Sequence, residues 1–312
     1  MIEHLGIIPI KVDLPFRLNH VNCFMAEGED GWTIIDTGLN NEYTSKMWAE
    51  NIQQREIKDI FITHYHPDHY GHSGTLQHKT GAEVWMSKID SDAGKTAWND
   101  DFLSGLHKYY SASGIPDEIA NQMVKNNIDF KPLVYPLPVV NHYFVEGEKV
   151  VIGRYEYEII FAPGHSDGMV CFYNKEKNVL LSADHILPRI TPNISYWYHG
   201  DDNPLKSYLS SINDLKSLNI DYVIPSHGKP FHGANHRIDE IILHHGQRLE
   251  QTLAALGKPS SIYDVYQELF QFELTIHEIR FAVGETLAHL EYLRHKGECQ
   301  RELRNGEWIY FL

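Results

Sequence analysis

Cysteine is scarce. Cys23, Cys171 and Cys299 are the only three in 312 residues. They are odd in number and far apart, which excludes a disulfide framework and fits a reducing compartment. Long apolar runs are missing too: no stretch approaches the roughly 20 residues that cross a bilayer. Met1-Ile2-Glu3-His4 carries neither a basic nor an apolar leader. Basic residues are outnumbered, 27 Lys and Arg against 42 Asp and Glu, giving a formal net charge of −15. That balance argues against a general polyanion binder, because nucleic-acid affinity is built largely on clustered cations. No Gly-x-Ser-x-Gly elbow and no P-loop occurs, so serine hydrolysis and phosphate cradling of those kinds have no support. Internal repeats and low-complexity tracts are absent as well. A soluble cytoplasmic protein is therefore expected. At 312 residues it exceeds the usual single domain, and 42 % hydrophobic residues suffice for a substantial core.

Histidine, by contrast, is abundant: there are twenty. The stretch Thr63-His64-Tyr65-His66-Pro67-Asp68-His69 follows the apolar run Ile60-Phe61-Ile62 and packs four potential metal ligands into six residues. Imidazole and carboxylate suit first-row metals such as zinc. The His-x-His alternation sends both rings to one side of an extended chain. Pro67 then bends the path, so Asp68 and His69 can face a second ion.

A metal needs ligands from more than one loop. Tyr157-Glu158-Ile159-Ile160-Phe161-Ala162 ends in Pro163-Gly164-His165, Val179-Leu180-Leu181-Ser182-Ala183 ends in Asp184, and Tyr222-Val223-Ile224-Pro225-Ser226 ends in His227. Each candidate lies just past a short apolar strand, where open α/β sheets keep their sites. His72, His78, His142, His185 and His199 lack that context, and ordinary surface or core roles are expected for them.

The chain from about Ile7 to His232 resembles the metallo-β-lactamase superfamily, in its HxHxDH branch of glyoxalase II-like thioesterases, lactonases and nucleases. The resemblance implies an α/β fold, an αββα sandwich, and two divalent metal ions, zinc by default with iron or manganese as alternatives. It assigns His64, His66 and His165 to one ion, Asp68, His69 and His227 to the other, and Asp184 to both. Asp36-Thr37-Gly38 matches the family's early turn, a support for the ligands rather than a ligand.

The periodicity agrees with this architecture. Ile7–Val12, Val21–Ala26 and Trp32–Ile35 alternate as strands, and Asn40 to Gln53 shows a helical face of Met47, Trp48 and Ile52. Gly74–Thr80 is expected as a short helix and Ala82–Met86 as a strand. Strands and helices thus fall in two series, 7–86 and 144–232, interrupted by an insertion over about 90–143. There Asp101–Ser113 and Pro116–Asn127 look helical, with Pro116 suited to a first turn. Such an insertion can shape a substrate pocket, with Tyr109 and Tyr110 as candidate lining, or be packing alone. The rigid, aromatic segment Pro188–Tyr198 can line the pocket or fill the core beneath it. Arg189 within it is a candidate for an anionic group or an ordinary salt bridge.

The last part, 233–312, changes character. Ile238, Ile241, Ile242, Leu249, Leu253 and Leu256 mark a helix ending at Gly257. Ser261 opens a second helix, and Thr275-Ile276-His277-Glu278 is a capping box for a third. Glu298–Leu303 and Glu307–Leu312 flank the hairpin signal Asn305-Gly306. Three helices and a hairpin resemble a winged-helix domain. Residues 232–312 hold eight Lys and Arg against twelve Asp and Glu, so docking or dimerisation is expected of it rather than DNA reading. Residues 1–232 would form the catalytic domain.

Two divalent ions about 3.5–4 Å apart can share a hydroxide that attacks an electrophilic carbonyl or phosphorus. Asp68 would orient that nucleophile and carry its proton to the leaving group. The expected activity is metal-dependent hydrolysis of a small-molecule thioester, lactone or other ester. A metal-dependent phosphodiesterase or ribonuclease is the alternative, and nucleic acid is the less expected partner. A non-catalytic binding protein would be expected to have lost a ligand.

Overall fold

The computed structural model describes residues 2–312. The chain opens with β1 (Ile7–Asp13), β2 (His20–Gly28), β3 (Gly31–Ile35), α1 (Glu42–Ile52), β4 (Ile57–Phe61), α2 (Pro67–Tyr70), α3 (Ser73–Thr80) and β5 (Glu83–Ser87). Three helices follow, α4 (Lys88–Ala97), α5 (Asp100–Ala112) and α6 (Asp117–Phe130), before β6 (Val140–Phe144). These strands form one sheet in the order β1-β2-β3-β4-β5-β6, antiparallel from β1 to β3 and parallel from β3 onward. β6 lies in the stretch read from the sequence as insertion, yet it pairs with β5 and completes the first sheet. Pro116 sits just outside α6 rather than in its first turn, because its ψ of 138° is extended.

A second sheet is built from β7 (Lys149–Ile152), β8 (Tyr155–Phe161), β9 (Val170–Asn174) and β10 (Val179–Ala183), then α7 (Pro204–Asp214), β11 (Tyr222–Pro225) and β12 (Phe231–His232). Its order is β12-β11-β10-β9-β8-β7. Side-chain alternation explains the layers. In β2, Cys23 and Met25 face the core under the first helical layer, while Phe24 and Ala26 face the other sheet. In β9, Val170 and Phe172 meet the first sheet, whereas Cys171 and Tyr173 pack under α7 and its neighbours. Both sheets are therefore covered on both faces, an αββα sandwich.

The remaining elements are α8 (Ala234–Ala254), β13 (Ser260–Ser261), α9 (Ile262–Leu269), α10 (Ile276–His295), β14 (Gln300–Arg304) and β15 (Glu307–Phe311). The three strands pair in the order β13-β15-β14. Ser261 and Thr275 form capping boxes with Asp264 and Glu278, which fixes where α9 and α10 begin. These helices share one core with the insertion: Leu103, Leu106, Tyr110 and Met123 pack with Ile262, Val283, Leu287 and Tyr310. The insertion is thus no free-standing flap; its apolar face is buried against the C-terminal unit. Among the described residues no helix is long and apolar enough to cross a membrane.

Leu287→Ala should lower the unfolding free energy by about 2–5 kcal/mol, because Leu287 is wholly buried and leaves a cavity. Urea unfolding read by circular dichroism checks this; a change under about 0.5 kcal/mol, the range of surface substitutions, would contradict a tightly packed shared core.

Candidate metal centre

Strand direction brings the candidate residues to one edge. β8 and β10 both run antiparallel to β9, so they run parallel to each other, and β10 is parallel to β11. Their carboxyl ends therefore emerge together and deliver His165, Asp184 and His227. β4, parallel to β3, delivers His64 through His69 from the other sheet. The two edges are stitched together. Asn22 N–H donates to the Ser226 carbonyl at 2.6 Å, its side-chain amide donates to the carbonyls of Pro225 and Gly228, and Val170 N–H donates to the Thr63 carbonyl at 3.0 Å.

All seven side chains converge. Donor atoms of His64, His66 and His165 lie within 4.8 Å of one another, as do those of Asp68, His69 and His227, and of His64, His69 and Asp184. His69 Nε2 is 3.6 Å from an oxygen of Asp68 and 3.6 Å from Asp184 Oδ1. His227 Nε2 stands 3.2 Å from that same Asp184 oxygen, and His165 Nε2 is 3.4 Å from its other one.

The protein aims each ring by its far nitrogen. His69 Nδ1–H donates to Asp36 at 2.8 Å, His165 Nδ1–H to the Asn193 carbonyl at 2.8 Å, and His227 Nδ1–H to the His20 carbonyl at 2.6 Å. Thr63 Oγ1 donates to Asp36 and so accepts from His64 Nδ1–H at 3.0 Å. Such bonds fix the tautomer and leave Nε2 facing inward. His66 is turned the other way, its Nδ1 lying 2.9 Å from His165 Nε2. The inward Nε2 atoms of His64, His69 and His227 and Oδ1 of Asp184 are buried and have no hydrogen-bond partner. Buried polar atoms are ordinarily satisfied, so this inward set of lone pairs fits a cation.

The electrostatics agree. Burial holds the imidazoles of His64 and His66 well below their ordinary pKa, and neighbouring histidines push the same way. They are neutral ligands in waiting. At His69 burial also disfavours the cation, but Asp68, Asp184 and Asp36 outweigh it and raise the pKa well above normal. Burial would likewise raise Asp184, yet His227 and His69 hold it well below the carboxylate range. Carboxylates here demand positive charge, and a metal supplies it while releasing those protons.

Backbone strain marks the same place. Asp36 and Ala183 both adopt positive φ, 56° and 46°, a region costly for residues with a Cβ. Asp36 in that conformation accepts from Thr63 N–H, Thr63 Oγ1 and His69 at once. Gly164 (φ 128°) lets the chain turn into His165 beside α7, where a Cβ would stand 2.3 Å from that of Tyr208.

His66, Asp68, His165 and Asp184 open onto a cavity of about 930 Å³. Its walls come from β1–β2, the insertion, the 190–199 segment and α10, and they are mostly apolar. Tyr110 lines it, but Tyr109 does not; that ring stacks on Tyr198 at 4.9 Å instead. Ile190, Tyr196, Trp197 and Tyr198 form part of the wall, so the aromatic segment is pocket lining. Arg189 is exposed and does not line the cavity.

Comparison with known proteins now bears on this geometry. A model of the metallo-beta-lactamase superfamily matches residues 17–227. The chain belongs to that superfamily. A second model, the metallo-beta-lactamase-like C-terminal domain, matches residues 249–311. A metallo-beta-lactamase family protein from Thermus thermophilus is similar over 98 % of both chains, with a TM-score of 0.86 and 29 % identity. A beta-lactamase domain protein from Burkholderia ambifaria has a TM-score of 0.87 and 30 % identity, over 98 % of this chain and 92 % of its own. The Bacillus subtilis protein named "Probable metallo-hydrolase YqjP" is 23 % identical over 98 % of this chain and 97 % of its own. The likeness to those two structures thus extends through the C-terminal unit.

Two supporting residues went unread in the sequence. Asp90, buried at the start of α4, accepts from Tyr65 N–H (3.1 Å), Ser166 Oγ (2.6 Å) and Gly168 N–H (2.6 Å). It thereby ties the His64–His69 loop to the His165 loop. Burial pushes its carboxyl up to about 7, against the pull of those three donors. Ser87-Lys88-Ile89-Asp90 has the look of a helix cap, and that local role hid the distant one. Asn193 is the other: its carbonyl steers His165, and its amide donates to Glu285 on α10 at 3.1 Å.

Asp90→Asn should lower thermal stability by about 1–3 kcal/mol, since an amide N–H₂ would face donors. Metal retention in a chelator titration should weaken about 10- to 100-fold, as for other outer partners of ligands. Unchanged retention would show that Asp90 does not hold the two loops in register.

Proposed function

We propose that this metal-dependent hydrolase of the metallo-beta-lactamase superfamily acts on a thioester, lactone or related ester of a small molecule. It would do so through two divalent ions, zinc by default, as a member of the HxHxDH branch. His64, His66 and His165 would hold one ion, Asp68, His69 and His227 the other, and Asp184 would lie between them. The observation that carries the reading is the set of buried, partnerless donor atoms behind a largely apolar cavity that His66, Asp68, His165 and Asp184 line. When bound, such ions supply Lewis acidity and water acidified towards neutrality.

The chain's own residues do the rest. Asp68 is 19 % exposed against 0–9 % for His69, His165, Asp184 and His227, and it borders the cavity. A carboxylate there can orient an attacking water, take its proton at the oxygen not turned to His69 and His227, and pass it to the departing thiol or alkoxide. Trp197, edge-on to His66 at 5.3 Å, and Tyr65 wall off bulk water beside the reacting group. The apolar lining favours a substrate with a hydrocarbon portion over a nucleic acid, which would need a cationic track.

The C-terminal unit supports a winged-helix-like description, since helix, strand, two helices and hairpin follow in that order. We take 1–232 as the catalytic domain and 233–312 as this appended unit. It meets the cluster through Glu285, which accepts from Asn193 beside His165, and α10 forms part of the cavity wall.

His66→Ala should leave the circular dichroism spectrum unchanged and lower the metal-to-protein ratio found by elemental analysis. It should cut kcat/KM by at least about 100-fold, the upper end of the loss for a mere outer partner. Undiminished turnover at reduced metal content would sink the mechanism. A panel of thioesters, lactones and short RNAs with defined metals tests the substrate class; cleavage of RNA alone would overturn it.

A further inference from the structure

Arg280 stands alone on α10. It lines the same cavity as His66 and Asp184, and no carboxylate among the described residues pairs with its guanidinium. Glu278, the nearest acid in the sequence, is used elsewhere: it caps α10 through Thr275 and sits 3.7 Å from Arg17. One donor of Arg280, Nη1, reaches the side-chain carbonyl of Asn127 on α6 at 2.5 Å. The faces of the guanidinium rest on Phe281 and Phe130, 4.7 and 5.4 Å from the ring centres. Its Nε is buried with no partner. Aromatic faces offset only part of the desolvation of a cation, and a buried charge without a counter-ion is unfavourable. The edge left unpaired includes Nε, one half of the fork that binds a carboxylate with two parallel hydrogen bonds.

The surroundings repeat the pattern. Asn126 Oδ1 and His277 Nδ1 border the cavity and are also buried without partners. His277 packs against both Phe16 and Phe130, at 5.0 and 4.9 Å, rings that also meet each other at 5.5 Å. Burial lowers its pKa to about 4, with Arg280 pushing the same way. Two arginines line the cavity: Arg17 lies 3.7 Å from Glu278, whereas Arg280 is, among the described residues, the one without a carboxylate, in a wall that is mostly apolar. Trp197 and Phe281 lie between it and the metal cluster, Trp197 edge-on to His66 and Phe281 edge-on to Trp197 at 5.9 Å.

We propose that Arg280 binds a single carboxylate carried by the substrate at the end away from the bond to be cleaved, with hydrocarbon spanning the aromatic wall between. One cation matches one negative charge, which points to a carboxylate rather than a phosphate dianion. This deepens the small-molecule ester reading and rests on it. Arg280 is a specificity determinant here, with no part in bond cleavage.

Two measurements on the full-length protein test this. The first compares adipyl and hexanoyl thioesters of N-acetylcysteamine, equal in chain length and differing by the terminal carboxylate. The wild type should prefer the adipyl substrate by about 10- to 100-fold in kcat/KM, the range for a charge-assisted pair. Arg280→Met should remove that preference while leaving the hexanoyl rate within about threefold, and Arg280→Lys should retain part of it. The second follows Trp fluorescence (Trp98 and Trp197 line the cavity) with the propyl amides of adipic and hexanoic acids, which need no turnover. Tighter binding of the charged amide, lost in Arg280→Met, supports the site even if no thioester is cleaved, in which case the ester reading fails alone. Equal binding of both amides by the wild type, or parallel loss of both substrates in Arg280→Met, would show a structural cation and overturn the proposal.

Discussion

The structure is governed by an electrostatic imbalance. Five imidazoles and two carboxylates meet at the joint between two sheets, and the inward Nε2 atoms of His64, His69 and His227 and Oδ1 of Asp184 are satisfied by nothing in the protein. Desolvating such a set is unfavourable unless positive charge enters with it. The Nδ1 bonds, the strained Asp36 and Ala183, and the buried Asp90 all hold the donors in a geometry they would not keep on their own. Metal affinity, stability and chemistry are therefore linked: what preorganises the donors also raises the free energy of the metal-free chain.

Packing sets the second level. Because β8, β10 and β11 run in one direction, their ends assemble ligands at no further entropic cost once the sheet has formed. The insertion and the C-terminal unit then close over that edge and share a core. The apolar face of the C-terminal helices, which alone would suggest docking or dimerisation, is covered within the chain. That arrangement makes the pocket wall as stable as the helices that build it.

Much of this was legible in the sequence, and the reason is local. His64 to His69 sit in one loop, and each other candidate follows a short apolar run, so strand-end context together with the family resemblance picked the seven from twenty histidines and their acidic neighbours. The strands of β1 to β3, the helix start at Ser261 and the capping box at Thr275 were equally local. What stayed hidden depends on distant pairing. Arg280 meets Asn127 across 153 positions and Ser166 meets Asp90 across 76, with no periodicity to announce either. β6 rejoins its sheet only after three helices, and α7 gave no signal among the polar residues around it.

The shared core has a consequence for how such proteins diverge. The groups that would recognise a substrate stand on one module, while those that would cleave it stand on another, and a common hydrophobic seam joins the two. New specificity can arise by altering α10 and its seam together, leaving the catalytic loops untouched. A chimera that exchanged only one side of that seam would inherit a mismatched interior before it acquired a new preference.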